Sequence, residues 1–195
     1  MSCSILLDAC SGHFQIPGGV PSMGLVRSFP EVPPSVMRGC LESFCGLESG
    51  SFANSKSAFT YGRTVEPRGY GKILRNHHVW SGANEEKWRP QRVETYFGLS
   101  YRVVVEGAFE ETLRKALRGE TSGYGCLYLG RSDDIVSALV EGTKPARWVI
   151  PGTTWNLPIK VGHGFSTVTK TIYGQFTLTE NFESDPPPLS HWIKS

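Results

Sequence analysis

The sequence predicts an α+β domain of ferredoxin-like (RRM-like) order, in which strand, helix, strand, strand, helix and strand follow one another. Three observations predict it. From Phe97 to Gly107, Leu99, Tyr101, Val103 and Val105 alternate with mostly polar neighbours, the period of a half-buried strand. Two segments, Val36–Phe44 and Phe109–Leu117, repeat apolar residues every three or four positions, as helices with one buried face do. Short apolar runs bounded by glycine, proline or polar residues supply the other strands. A chain of 195 residues suits one domain with an appendage. It buries roughly 70% of its unfolded surface and needs no covalent staples.

Taken in order, Ser4–Phe14 is the first strand, with Ile5, Leu6 and Leu7 at its centre. Pro17, Gly18, Gly19 and Pro21 cannot continue it and form a loop. Pro33-Pro34-Ser35 sets up the first helix, with Ser35 as its cap and Gly46 as its left-handed stop. Val36, Cys40 and Phe44 line its apolar face, beside Met37 and Leu41. Arg38 and Glu42 fall off that stripe and are expected to face solvent or a ligand. Ala58–Arg63 is the second strand. A polar, aromatic-studded segment from Thr64 to about Arg92 interrupts the pattern before the strand Phe97–Gly107. Phe109, Leu113, Ala116 and Leu117 give the second helix its apolar face, Gly119 ends it, and Gly125–Leu129 is the fourth strand. RNA-recognition domains share this order, as do many folds of unrelated function.

Residues 1–131 form the ferredoxin-like domain on this reading, with an insertion at about 63–92, and residues 132–195 form a small β-rich C-terminal region. That region holds a short helix at Asp133–Val140, strands around Arg147–Ile150 and Thr171–Thr179, and an extended tail at Asp185-Pro186-Pro187-Pro188. Leu139, Trp148, Trp155 and the tail are read as core or partner surface. Cys3, Cys10, Cys40, Cys45 and Cys126 make no CxxC pair or zinc spacing, which fits free, mostly buried thiols in a reducing compartment. The N-terminal residues lack the basic start and apolar run of a secretion signal, and no stretch approaches a membrane span. A cytoplasmic protein with no membrane partner is expected.

The chemistry concentrates between Arg63 and Arg92. Seven cations lie there (Arg63, Arg68, Lys72, Arg75, Lys87, Arg89, Arg92) against Glu66, Glu85 and Glu86, a net +4 in a chain whose total is +2, so the remainder is −2. Tyr70, Trp80 and Trp88 are interleaved with them. Cations track phosphates and flat rings stack on unpaired bases, the chemistry of single-stranded RNA binding. The plainer alternative is a solvated hairpin anchored by its tryptophans. His77-His78 suits a polar surface pair or a contact to a nucleic-acid backbone. Adjacent strand residues point to opposite faces and do not make a metal site, though histidine is also a good general acid for RNA cleavage. Gly162-His163-Gly164-Phe165, with Lys170 and Gly174, is a glycine-rich loop without the Walker A or dinucleotide pattern. No GxSxG elbow, HExxH helix or compact carboxylate cluster is present, so neither a catalytic constellation nor a metal or other cofactor is expected.

Three segments together resemble the fifth Cas protein family, the RAMP-type subunit of CRISPR Cascade complexes. PPSVMRGCLES (Pro33–Ser43) is similar to its proline-led first helix, and RPQRVETYFGLSYRVVVEG (Arg89–Gly107) to the QR-containing lead-in to a core strand. LYLGRSDD (Leu127–Asp134) is similar to its tyrosine-leucine-glycine strand end. The resemblance runs from about Ile5 to Asp134. It implies a ferredoxin-like body with a protruding β-hairpin thumb, which falls on Arg63–Arg92. It also implies a non-catalytic role at one end of a guide-RNA filament in antiviral defence. There the subunit grips the 5′ handle of the crRNA and abuts the backbone subunit and the large subunit, with target DNA as a further partner left open. On that reading Arg38, Arg63, Arg68, Lys72, Arg75 and Lys87 neutralise phosphates. Tyr70, Trp80 or Trp88 stack on a base, Asn76, His77 and His78 bond base edges or 2′-hydroxyls, and Arg89 and Arg92 serve RNA or a neighbouring subunit. One branch of the family also cuts precursor RNA without a metal, and a metal-independent endoribonuclease is the alternative function. Its catalytic tyrosine corresponds here to Cys45, a thiol that does not simply replace a phenol, with His77, His78 and Lys72 as substitutes for the accompanying Lys-His pair.

Overall fold

A computed structural model describes residues 2–14, 25–80, 86–121, 123, 126–130, 134–161 and 171–194, with the backbone alone described at 75–80, 86–89 and 161. The chain runs through β1 (Cys3–Gly12), β2 (Leu25–Val26), α1 (Pro34–Phe44), β3 (Ala58–Arg63), β4 (Gly69–Trp80) and β5 (Glu86–Glu106). It continues through α2 (Ala108–Leu117), β6 (Val136–Glu141), β7 (Arg147–Val161), β8 (Thr171–Leu178) and β9 (Ile193–Lys194). One mostly antiparallel sheet has the order β6-β1-β5-β3-β7-β8. β2 and β4 also pair with β5, and β9 pairs with β3.

The helices and strands share one core because alternate strand residues point the same way. Ile5 and Leu7 on β1, Phe59 and Tyr61 on β3, and Tyr101, Val103 and Val105 on β5 pack in one cluster with Met37 and Leu41 of α1 and Phe109 and Leu113 of α2. α1 begins at Pro34, whose missing N–H is no loss in a first turn. Ser35, expected to cap it, lies inside the helix; Pro33 holds the cap position without a side-chain bond. Gly46 and Gly119 have φ of 69° and 72°, the left-handed stops expected after each helix.

A second, smaller cluster joins Val104, Ala146, Trp148 and Trp192. The C-terminal tail closes it: Trp192 Nε1 donates to the Pro187 carbonyl at 2.7 Å, and Arg102 lies over the Trp148 ring at 5.3 Å while donating to the carbonyls of Lys144 and Ser184. Gly62 permits this arrangement, since a Cβ there would meet the Arg147 carbonyl oxygen at 2.5 Å.

Two expectations need correction. Of the fourth strand placed at Gly125–Leu129, Tyr128 makes only an isolated bridge with Ile135, and residues 124–125 lie outside the described residues. The short helix at Asp133–Val140 is not formed either: β6 occupies Val136–Glu141 and pairs antiparallel with β1, Leu7 opposite Leu139. Ala138, Leu139 and Glu141 are good helix formers, but pairing with β1 overrides that preference. The segment Thr64–Arg92, read as an interruption, is largely a long ribbon. β4 pairs with β5 from Gly69↔Phe97 to Trp80↔Glu86, and β5 reaches back into the sheet centre.

Candidate nucleic-acid interface

The ribbon has two unlike faces. Residues directly opposite in an antiparallel pair share a face, and the register aligns Tyr70 with Tyr96, Lys72 with Glu94 and Leu74 with Arg92. On this face Tyr70, Lys72, Leu74, Pro90 and Arg92 are exposed, Leu74 by 71%. In the alternate row Gln91, Val93 and Thr95 are buried and Ile73 is half-buried, so that row faces the body. Burying one row fixes the register and leaves the cation-bearing row outward.

Glu94 anchors the outward row. One carboxylate oxygen accepts from Ser28 N at 3.0 Å, and the same carboxylate acts on the Tyr70 hydroxyl. Partial desolvation, then the Glu94 carboxylate, pushes the Tyr70 phenol up to about 12, so it is neutral. The Tyr70 and Tyr96 rings lie 5.2 Å apart at 46°. Exposed Arg68 stands at the ribbon's base, its N–H bonded to the Phe97 carbonyl. Its stem crosses Gly98, where a Cβ would meet Arg68 carbons at 2.8 Å.

Arg63 and Arg38 are placed otherwise. Arg63 Nε lies 2.6 Å from Glu31 Oε2, Nη1 lies 3.2 Å from Glu66, and Nη2 donates to the Pro30 carbonyl at 2.6 Å. Tyr101 donates to Glu31 Oε1 at 2.6 Å, Val32 N donates to the same oxygen, and Tyr61 donates to the Val32 carbonyl. Burial pushes the fully enclosed Glu31 carboxyl up, against the pull of Arg63. Burial also opposes the Arg63 charge, but Glu31, then Tyr101 and Glu66, outweigh it and raise its pKa. Arg63 therefore clamps the loop before α1 onto the sheet and is not an open phosphate ligand. Arg38 and Glu42, expected to face solvent or a ligand, are buried, at 8% and 3% exposure. Glu42 accepts from Gly50 N and Phe52 N, folding the chain after α1 back along the helix.

The side chains of Arg75, Asn76, His77, His78, Trp80, Lys87, Trp88 and Arg89 lie outside the described residues. Their backbone register is described. Asn76, His78, Trp80 and Trp88 continue the alternation row of Tyr70, Lys72 and Leu74, whereas Arg75, His77, Lys87 and Arg89 fall in the other. The loop Gly162-His163-Gly164-Phe165 with Lys170 lies outside the described residues; Gly174 is in β8. Three features of the site escaped the sequence reading: Leu74, Glu94 and Tyr96. Position parity from Tyr70 and from Arg92 is the signal that finds them.

Cys45 is 3% exposed, and burial pushes its thiol up to about 12, which leaves it neutral and unreactive at ordinary pH. A cleft of about 470 Å³ lies between α1 and residues 126–130, lined by Val36, Gly39, Cys40, Ser43, Cys126 and Tyr128 among others. No lysine, arginine or histidine lines it among the described residues. Cys10 and Cys126 are exposed, while Cys3, Cys40 and Cys45 are buried, and all five are free. No described helix is long and apolar enough to cross a membrane.

No protein-family profile matches the chain, and no curated protein matches it in sequence. Its fold is similar to solved structures. A chain of a CRISPR RNA-guided surveillance complex aligns over 98% of this chain and 96% of its own, at 13% identity and a TM-score of 0.65. A functionally uncharacterized protein from Streptococcus mutans aligns over 100% and 92%, at 9% identity and 0.50. A Cas protein aligns over 96% and 100%, at 13% identity and 0.49. At such identities the likeness is one of fold.

Proposed function

We propose that this chain is a non-catalytic, crRNA-binding subunit of a type I CRISPR Cascade-like effector complex. On this reading it grips the 5′ handle of the guide and caps the backbone filament. The observation that carries the reading is end-to-end agreement of fold with a chain of a CRISPR RNA-guided surveillance complex. Two further features support it. β6-β1-β5-β3, with both helices in one core, has the neighbour order of a ferredoxin-like domain, and the β4/β5 ribbon stands where the thumb is expected. That ribbon also offers exposed Lys72, Arg92 and Tyr70 on one face, cations and a ring that meet phosphates and a base together.

In this account Arg68, Lys72 and Arg92 neutralise handle phosphates and Tyr70 stacks on an unpaired base. The backbone subunit and large subunit are the protein partners. The endoribonuclease alternative has no support in the geometry of Cys45, which is enclosed and neutral.

The test is binding of the purified chain to a repeat-derived 5′-handle RNA, against a scrambled RNA, across a salt series. Tight binding that weakens steeply with salt is expected, with no cut in the presence of a metal chelator. The double variant Lys72→Ala, Arg92→Ala should lower affinity on the order of tenfold or more at low salt without a large change in Tm. Wild-type affinity in that variant would remove the ribbon from the interface, and specific cleavage in chelator would favour the enzyme.

A further inference from the structure

On one edge, β5 changes partner where it leaves the body. β3 pairs with it as far as Tyr101, and β4 takes over from Phe97. Between them lies Gly98, whose φ of 64° is in the left-handed region and interrupts regular pleating. The angle at which the ribbon leaves the sheet is therefore set by whatever bridges this interruption. On the opposite edge β1 passes it by two residues, pairing Ser11 with Phe97 and Gly12 with Tyr96.

Beyond β1 the segment 25–32 continues along that edge. Leu25 and Val26 pair with Arg92 and Val93, and Ser28 N donates to Glu94 Oε2 at 3.0 Å. The same segment is fastened to the body. Ser28 Oγ accepts from Phe14 N, and Phe29 N donates to the Phe14 carbonyl, each at 2.8 Å. Arg63 of β3 donates to the Pro30 carbonyl and meets Glu31, and Tyr61 donates to the Val32 carbonyl. Segment 25–32 is a strap from core to ribbon, and Ser28 holds both ends: its hydroxyl bonds the body and its N–H bonds the ribbon.

Glu94 is otherwise out of place. Among the described side chains of the outward row it is the only acid, and it stands directly opposite Lys72. A carboxylate there repels phosphates, so electrostatics alone argues against it. Its contact with Ser28 N gives it a different task, as the ribbon's acceptor for the strap. Its main-chain carbonyl is held as well, 2.7 Å from His13 Nδ1.

We infer that Ser28 and Glu94 are positioning residues for RNA binding. Their bond fastens the strap to the ribbon and holds Tyr70, Lys72 and Arg92 at the angle at which the RNA meets them. The inference rests on the RNA-binding reading above. Neither residue has to touch RNA, and Ser28 is only 6% exposed. Released from the strap, a ribbon joined to the body across Gly98 takes up several orientations. Affinity then falls by the fraction of chains that keep the engaged one.

The test uses the full chain with E94A, E94Q, S28A and the double variant of S28A and E94A. By charge alone, removing the acid tightens RNA binding equally in E94A and E94Q. The inference expects the two to differ. Gln keeps a carbonyl acceptor for Ser28 N and Ala does not. E94Q should therefore bind single-stranded RNA about tenfold more tightly than E94A, as when about a tenth of the chains stay engaged. S28A frees the strap from Phe14 and should also weaken binding. The double variant should be no weaker than E94A, since both changes open one connection. Ribbon orientation is read without RNA, as the distance between spin labels at L74C and K115C in a C10S, C126S background. That distribution should be broader in E94A than in the wild type or E94Q. Equal affinities of E94A and E94Q would make Glu94 a plain charge and overturn the inference. So would wild-type affinity in S28A, or losses that multiply in the double variant. If E94A does not fold, S28A decides by its own affinity and label distances. Should no protein bind RNA, the functional reading fails by itself, and the labels still judge the strap: one distribution shared by wild type and E94A rejects it.

Discussion

Two regions of the molecule use the same residue types to opposite ends. Around Glu31, a half-buried arginine meets the buried carboxylate, Tyr101 donates to that carboxylate and Tyr61 to the neighbouring Val32 carbonyl, so the two charges answer each other inside the fold. On the outward row of the β4/β5 ribbon, a lysine, an arginine, a glutamate and two tyrosines stand in similar proximity, but Lys72, Arg92 and Tyr70 remain exposed. The difference lies in what closes over each group. The loop 29–33 covers Arg63 from above the sheet and supplies a carbonyl, a backbone N–H and a carboxylate. Nothing among the described residues covers Lys72 and Arg92. A cation's place in a basic segment therefore does not reveal its availability; the partners the fold brings to it do.

The largest expected effect tests the enclosed side of that contrast. Arg63→Met leaves the Glu31 carboxylate buried without its counter-charge, and urea unfolding should show a loss of about 3–5 kcal/mol at neutral pH. The pH dependence carries a definite sign. Glu31 already has its folded pKa raised above the unfolded value, and losing Arg63 raises it further. A carboxyl so shifted makes the fold most stable below the unfolded pKa of about 4.5 and less stable as pH rises through the interval up to the folded pKa. The deficit of the variant should therefore shrink as pH falls toward 4.5. A deficit that instead grew on acidification would mean that Glu31 is not the group left stranded.

How much of this was legible beforehand follows from where each signal resides. β5 was readable because Leu99, Tyr101, Val103 and Val105 alternate over a buried face, and both helices because their apolar residues repeat at helical spacing. β4 was not. One of its rows faces solvent, its described residues include Gly69 and Gly71, and its pairing is dictated by the strand it lies against. β6 was misread because six residues are too few for periodicity to outweigh helix propensity, and the strand that decides the matter, β1, is about 130 residues earlier. The site divided similarly. Lys72, Tyr70 and Arg92 are exposed as their composition suggested. The fate of Arg63 depended on Glu31, thirty-two positions away, and that of Arg38 on Phe52 and the chain that Glu42 folds back.

The next largest effect tests the open side. Tyr70→Ala removes an exposed ring that contributes little to packing, so Tm should hardly move. Affinity for single-stranded RNA should fall by about 1–3 kcal/mol, the usual loss of one stacked base. A fluorescence anisotropy titration reads it directly. An equal loss of stability would place Tyr70 with the buried set, as a support for Tyr96 in place of an RNA contact.

Lys72→Ala should weaken binding less, by several-fold at low salt, because one phosphate contact among several is lost. Its distinguishing mark is the salt slope, shallower by about 0.7 for a single-stranded ligand.

The smallest effect separates ring from hydroxyl. Tyr70→Phe keeps the stacking surface but deletes the hydroxyl on which Glu94 acts, and Glu94 retains Ser28 N as a donor. If the nucleotide does not read the phenol, RNA affinity should stay within about twofold of wild type, and Tm, as in Tyr70→Ala, should hardly move. A large loss of affinity in this variant, without a matching change in Tm, would mean that the hydroxyl reads the nucleotide itself. Glu94 would then have to be counted as part of the recognition surface, holding that donor in place, and the outward row would be a specific contact as well as an electrostatic one.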